Sequence, residues 1–140
     1  MNTSQVGNIG EAKVLCKFVE MGIPVYLPYG DGEEIDMLAI FNKKINRIQV
    51  KTTRNVHNNG LIRWKLTKQE MYHGNNVKYN IDAIDYFALY CIEADVLCLF
   101  PIKEAHLGEI SMRLNTYSGK KLSTMHFVED YSFEKIIGHL

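Results

Sequence analysis

Little in this 140-residue chain commits it to an unusual environment, and each shortage excludes something. It has three cysteines, Cys16, Cys91 and Cys98, an odd number that cannot complete a disulfide framework. No Cys-x-x-Cys or His-x-x-x-His spacing occurs, and His57, His73, His106, His126 and His139 are scattered, so structural zinc has no ligand set to use. The cysteines lie in apolar sequence and read as reduced core thiols, the usual state in a cytoplasm. No apolar run approaches the ~18 residues that a membrane span requires. Residues Met1 to Gln5 lack a basic region followed by an apolar run, so no secretory signal is expected and the expected location is cytoplasmic. No repeat, linker or compositional break divides the chain, and residues 1–140 are expected to form one domain.

Net charge is missing too, at +0, but its distribution is uneven. Between Lys43 and Lys78 nine basic residues stand against Glu70 alone, a local +8 that the remainder of the chain balances. Such asymmetry can present a basic surface to phosphates even when the total vanishes. The apolar fraction of 46% and charged fraction of 23% are those of an ordinary globular protein with a core.

The periodicities read as an α/β chain. Val6, Ile9, Ala12, Leu15, Phe18 and Val19 follow helical spacing, which predicts a helix over residues 5 to 21, capped by Thr3 or Ser4 and ended by Gly22. Gly7 and Gly10 weaken its first turns by ~1 kcal/mol each relative to Ala, tolerable where the backbone must approach something closely. Strands are expected at 23–27, 34–41, 45–53, 61–66, 84–92, 96–100 and 110–114. A short helix or lid is expected within 67–80, a turn at 103–107 and a last helix at 133–139. Asn42-Lys43-Lys44 is a turn signal that makes 34–41 and 45–53 a hairpin.

The chemistry lies in that hairpin. Asp36 interrupts the apolar run Ile35 to Ile40, and in the second strand Gln49 and Lys51 alternate with Ile48 and Val50. An acid, an amide oxygen and an ammonium would then meet on adjacent strands. Burying an acid and a lysine costs several kcal/mol unless they are paired or bind a metal. This pattern points to a metal-dependent nuclease. Asp36, the Gln49 oxygen and a carbonyl at Val50 would hold Mg²⁺, with Mn²⁺ as a substitute. Lys51 would orient water and offset charge on the transition state, and Glu11 would hold a metal-linked water from the opposite side. By itself Glu11 reads more readily as a solvated helix residue than as a ligand, and Glu33 and Glu34 read as a solvated approach to the strand.

Helix with Glu11, strand, Asp36, then Gln49-x-Lys51 resembles the PD-(D/E)XK nuclease superfamily. Within it the chain is most similar to small endonucleases of the group I intron homing type. Gly7-Asn8-Ile9-Gly10-Glu11-Ala12, Val25 to Asp31, Ile84 to Tyr90 and Ser111 to Leu114 extend the likeness over about residues 5–115. The resemblance implies a restriction-endonuclease-like mixed sheet flanked by helices. It also implies phosphodiester hydrolysis in double-stranded DNA. Gln49 stands where a carboxylate is usual, and the resemblance makes it a branch marker. One such site cuts one strand, so a homodimer or homotetramer is expected, without a membrane partner.

DNA contacts are expected from Ser4 and Gln5 at the helix start, and from Thr52, Thr53 and Arg54 after the motif strand. Arg63, Lys65, Lys68 and Arg113 would extend them. Tyr86, Phe87 and Tyr90 read as core. Two other readings fit the same residues: a Holliday-junction resolvase, and a non-catalytic DNA-binding module with the nuclease fold.

Overall fold

A computed structural model describes residues 1–30, 34–66, 72–73, 76–77, 83–105, 108–115 and 117–138. Helix α1 (Thr3–Glu20) is followed by β1 (Val25–Tyr26), β2 (Met37–Phe41), β3 (Lys44–Thr53) and β4 (Leu61–Lys65). Then come β5 (Tyr72–His73), β6 (Asn76–Val77), β7 (Tyr86–Cys91), β8 (Val96–Pro101), β9 (Glu109–Arg113) and α2 (Phe133–Ile137). A five-stranded sheet runs in the order β1-β2-β3-β7-β8, with β3 and β7 parallel and the other neighbours antiparallel. The α/β class with a restriction-endonuclease-like mixed sheet is thus what the molecule has.

Asn2, not Thr3 or Ser4, caps α1: its side chain accepts from the Gln5 N–H at 2.9 Å while Gln5 Oε1 accepts from the Asn2 N–H at 2.8 Å. Gly22, at φ +74°, ends the helix as expected. The buried stripe is Val6, Gly10, Val14 and Phe18, spaced four apart. The expected face was rotated: Ala12 is exposed and Val19 is 62% exposed. The stripe turns toward the side with Gly10 because only there can the helix axis come close to the sheet. A Cβ on Gly10 would stand 1.7 Å from Thr52 Oγ1 on β3.

Each face of the sheet has its own apolar layer. On one face Val14 and Phe18 of α1 pack with Met37, Ala39, Ile48, Ala88 and Leu99, and Phe133 of α2 closes the layer. Phe18 stacks on Phe41 at 6.2 Å and meets Phe133 at 5.0 Å. Full burial of one such ring stabilises by roughly 2–3 kcal/mol. On the other face the β4–β9 ribbon lays Ile62, Trp64, Ile110 and Met112 over Phe87, Leu89 and Phe100. Trp64 Nε1 donates to the Tyr90 carbonyl at 3.0 Å, so its polar edge is satisfied inside the layer.

The hairpin forms where expected, with β2 starting later and β3 one residue earlier than read. Asn42 and Lys43 have φ of 55° and 62°, the left-handed pair that a two-residue turn matched to strand twist requires. Asn46 is buried, and its side-chain amide secures the turn by donating to the carbonyls of Ala39, Phe41 and Lys44 at 3.2, 3.1 and 3.0 Å.

Other boundaries moved. The strand expected over 23–27 shrinks to β1, and the turn expected at 103–107 is a 3-10 turn at Ile102–Glu104, while 106–107 lie outside the described residues. Within 67–80 the described pieces are the paired strands β5 and β6 rather than a helix; the rest of that segment lies outside the described residues. The last helix is α2, with His139 also outside them. Cys91 and Cys98 are core thiols as expected, but Cys16 is exposed and its Sγ donates to Glu20 at 3.0 Å. His126 is half-buried and hydrogen-bonded to the Tyr131 hydroxyl at 3.0 Å.

Asp85 ties the start of β7 to β3. Its carboxylate accepts from the Arg47 N–H at 2.8 Å and from Arg47 Nε and Nη2 at 3.0 Å each. The guanidinium holds the Asp85 carboxyl below its ordinary value of 3.8. A depressed acid contributes stability that is present above 3.8 and lost as pH falls through the folded value. Asp85→Asn is therefore expected to lower stability by about 1 kcal/mol at pH 7, discounted for solvent screening at this half-exposed pair. In urea melts from pH 7 to pH 2, the gap from the natural chain narrows only below about 4; a gap constant with pH would disprove the pairing's contribution.

Candidate active site

β3 is ten residues long and β2 only five, so β3 runs on alone after the ladder ends at Met37↔Ile48. Beyond that point its last residues have one strand neighbour, β7. A strand residue points its N–H and C=O to the same side. Arg47 and Thr53 carbonyls accept from the β7 side, so Ile48, Val50 and Thr52 direct theirs toward the missing β2. Asp36 fills this gap. Its N–H donates to the Ile48 carbonyl at 2.9 Å, and its Oδ2 accepts the Val50 N–H at 2.7 Å. The Val50 carbonyl faces the same opening.

Groups from both faces of the sheet reach Asp36 through this opening. Glu11 comes from α1, which packs on the face that carries Thr52, and its carboxyl hydrogen-bonds the Asp36 carboxylate. Lys51 comes from the opposite face of β3, which Gln49 shares by strand alternation. Among the described residues no group of three or more His, Cys, Asp and Glu is arranged to hold a metal. The contacts bring together the Glu11 and Asp36 carboxyls, the Val50 backbone and the charge of Lys51, while Gln49 shares the face of Lys51.

The electrostatics follow from partial burial. Desolvation raises the Asp36 pKa, opposed by the Val50 N–H, by Glu11 and by the charge of Lys51. Glu11 is raised by burial, by the Asp36 charge and by its hydrogen bond to Asp36. The two acids thus hold a shared proton more tightly than isolated carboxylates do. Burial pushes Lys51 down to about 8, with Asp36 pulling the other way. Hard oxygen donors of net negative charge, kept from full hydration, fit a hard divalent cation, whose charge would favour their ionised forms.

The remaining sites expected from sequence spread unevenly. Ser4 and Gln5 are exposed on the first turn of α1, with Gln5 committed to the capping box. Thr52 points its hydroxyl into the α1 interface, where the oxygen is buried with no hydrogen-bond partner among the described residues, so it does not offer that oxygen to a phosphate. Thr53 is half-buried at the end of β3, and exposed Arg54 donates to the Met1 carbonyl. Arg63 and Lys65 are exposed on the outward face of β4. Arg113, paired opposite Leu61, shares that face, stacks over Tyr117 at 4.7 Å and donates to the Asn59 carbonyl at 3.1 Å. Lys68 and Glu33 lie outside the described residues. Tyr86 is half-buried while Phe87 and Tyr90 are core, as expected. Asp85 was missed as a partner; a lone acid before an apolar strand, with Arg47 unmatched in the hairpin, was its signal.

A family model described as PD-(D/E)XK endonuclease matches residues 1–134. The chain belongs to that family. Its fold is similar to that of a bacterial homing endonuclease, I-Ssp6803I, at 19% identity and a TM-score of 0.66, covering 93% of this chain and 86% of that one. A Holliday junction resolvase, Hjc of Archaeoglobus fulgidus, is a more distant likeness, at 15% identity and a TM-score of 0.46 over 79% of this chain and 86% of that one. No curated protein matches. No helix among the described residues is long and apolar enough to cross a membrane.

Lys51 offers a direct check on the site's polarity. In the metal-free protein its ammonium is expected to titrate near 8. Because the folded value lies below the unfolded one of 10.5, stability rises with pH between about 8 and 10.5 as the buried charge is relieved. Following the lysine side chains by NMR from pH 6 to 11 tests this; a Lys51 midpoint above 10 would show that it is not desolvated.

Proposed function

We propose that this chain is a metal-dependent endonuclease that hydrolyses phosphodiester bonds in double-stranded DNA at a specific site. The observation that carries the proposal is the meeting of Glu11, Asp36 and Lys51 at the open edge of β3. Glu11, Asp36, the Gln49 oxygen and the Val50 carbonyl would hold the cation, Mg²⁺ by the hardness of the donors, with Mn²⁺ as a substitute. When bound, such an ion neutralises the scissile phosphate and lowers the pKa of water.

The chain's own residues supply the remainder. Val50 anchors the Asp36 carboxylate through its N–H, so the ligand does not reorganise when the phosphate arrives. Lys51 carries its proton at Nζ below about pH 8 and places positive charge where the phosphate gains negative charge. Arg63, Lys65 and Arg113, together on the outward face of the β4–β9 ribbon, suit phosphate and base-edge contact. The likeness to a homing endonuclease favours linear duplex as substrate. One such site is found among the described residues of a chain, so cutting both strands calls for a dimer or tetramer.

Lys51→Ala is expected to lower cleavage by at least about 10²-fold while DNA binding stays within a few-fold. Asp36→Asn is expected to do the same and also weaken metal binding. The assay is nicking of a plasmid library and of a four-way junction, in Mg²⁺, Mn²⁺ or EDTA. Symmetric nicks confined to the junction would replace this reading with a resolvase. DNA binding without cleavage in either metal would replace it with a binding module.

A further inference from the structure

We propose that Gly10 and Thr52 are positioning residues, whose contact sets how far Glu11 reaches into the opening beside β3. The inference rests on the reading of Glu11 and Asp36 as cation ligands. Glu11 is exposed on α1, and the described bond holding its carboxyl in place is the one to Asp36. Its position is therefore set by the helix backbone that carries it. One residue earlier, Gly10 is buried, and its hydrogens face Thr52.

The contact has almost no slack. A Cβ at position 10 would lie 1.7 Å from Thr52 Oγ1, 2.9 Å from its Cβ and 3.2 Å from its Cγ2. Real Cβ contacts are not that short, so any side chain at 10 must push α1 off β3 or displace Thr52. The Thr52 Cβ is fixed to the β3 backbone, so the clash falls largely on α1, and a shift of α1 off β3 carries Glu11 outward from Asp36. Gly7, one turn earlier, has nothing within 4 Å of where its Cβ would be. The two glycines thus differ in what they are for, although both sit in the first turns of one helix.

Thr52 bears a cost of its own at this contact. Its hydroxyl is buried without a hydrogen-bond partner among the described residues, an arrangement that costs free energy where a valine would not. The oxygen occupies the place of the absent Cβ, against the Gly10 Cα hydrogens, where it can act as a weak C–H···O acceptor. An alanine in mid-helix is otherwise ~1 kcal/mol better than glycine. Glycine here therefore trades helix stability for the approach.

The test is Mn²⁺ binding to the full chain, read by calorimetry without DNA, beside far-UV circular dichroism. Gly10→Ala is expected to keep its helix content and lose at least ~10-fold in Mn²⁺ affinity, the size typical of a residue that orients ligands. Gly7→Ala is expected to stay within two-fold of the natural chain. Gly10→Ala with Thr52→Gly, which removes the three nearest atoms that would crowd the new Cβ, is expected to recover much of the loss. A folded Gly10→Ala with natural affinity would overturn the spacing role, as would a folded double variant no better than the single one. If Gly10→Ala alone does not fold, the double variant decides: folded and binding supports the role, folded and not binding overturns it. Asp36→Asn separates the two ideas, since natural Mn²⁺ affinity in that variant sinks the cation site itself.

Discussion

The Asp36 carboxylate accepts a backbone hydrogen bond that a strand would otherwise make. β3 outruns β2, and an unpaired strand edge near the core leaves backbone donors that cost free energy if dry. Asp36 satisfies the Val50 N–H at 2.7 Å and is thereby held at the end of the ladder. The same gap admits Glu11 from one face of the sheet and Lys51 from the other. Were β2 to continue pairing, neither could meet the aspartate.

That opening has an electrostatic cost. Two acids and a lysine share a partly desolvated corner, so the acids hold a proton more tightly and the lysine less tightly than in water. In a scaffold selected only for stability this would be a defect. Here the surroundings are firm enough to hold it: the two apolar layers grip β3 and β7 from both faces, and the Arg47–Asp85 pair anchors their parallel start. The electrostatic cost lies at the edge, where the β2–β3 ladder has ended.

Much of this was legible in the residues. The hairpin was readable because polar turn residues separate two apolar runs. Its motif was readable because Asp36, Gln49 and Lys51 sit where apolar side chains are the norm. The facing of α1 was not. Periodicity placed Val19 and Ala12 inward, whereas the helix turns its small side, Gly10, to the sheet and leaves those two exposed. A glycine has no hydropathy to count, so a face defined by closeness rather than by greasiness is invisible to pattern reading. Thr52 shows the same limit, since a threonine following the Gln49-x-Lys51 motif reads as a phosphate contact until its hydroxyl is found under the helix. Asp85 and Arg47 are 38 residues apart in the chain, and nothing local pairs them.

The order of amino acids alone determined the chemical inventory: which hard donors, which ammonium, and that Gln49 and Lys51 fall on a strand while Glu11 falls on a helix. Side-chain alternation at a period of two also determined that Gln49 and Lys51 share a face. What only the tertiary structure decided was the meeting itself. It depends on where one strand stops and its neighbour continues, and on how close a helix can lie to a sheet. Both are set by packing between segments distant in the chain.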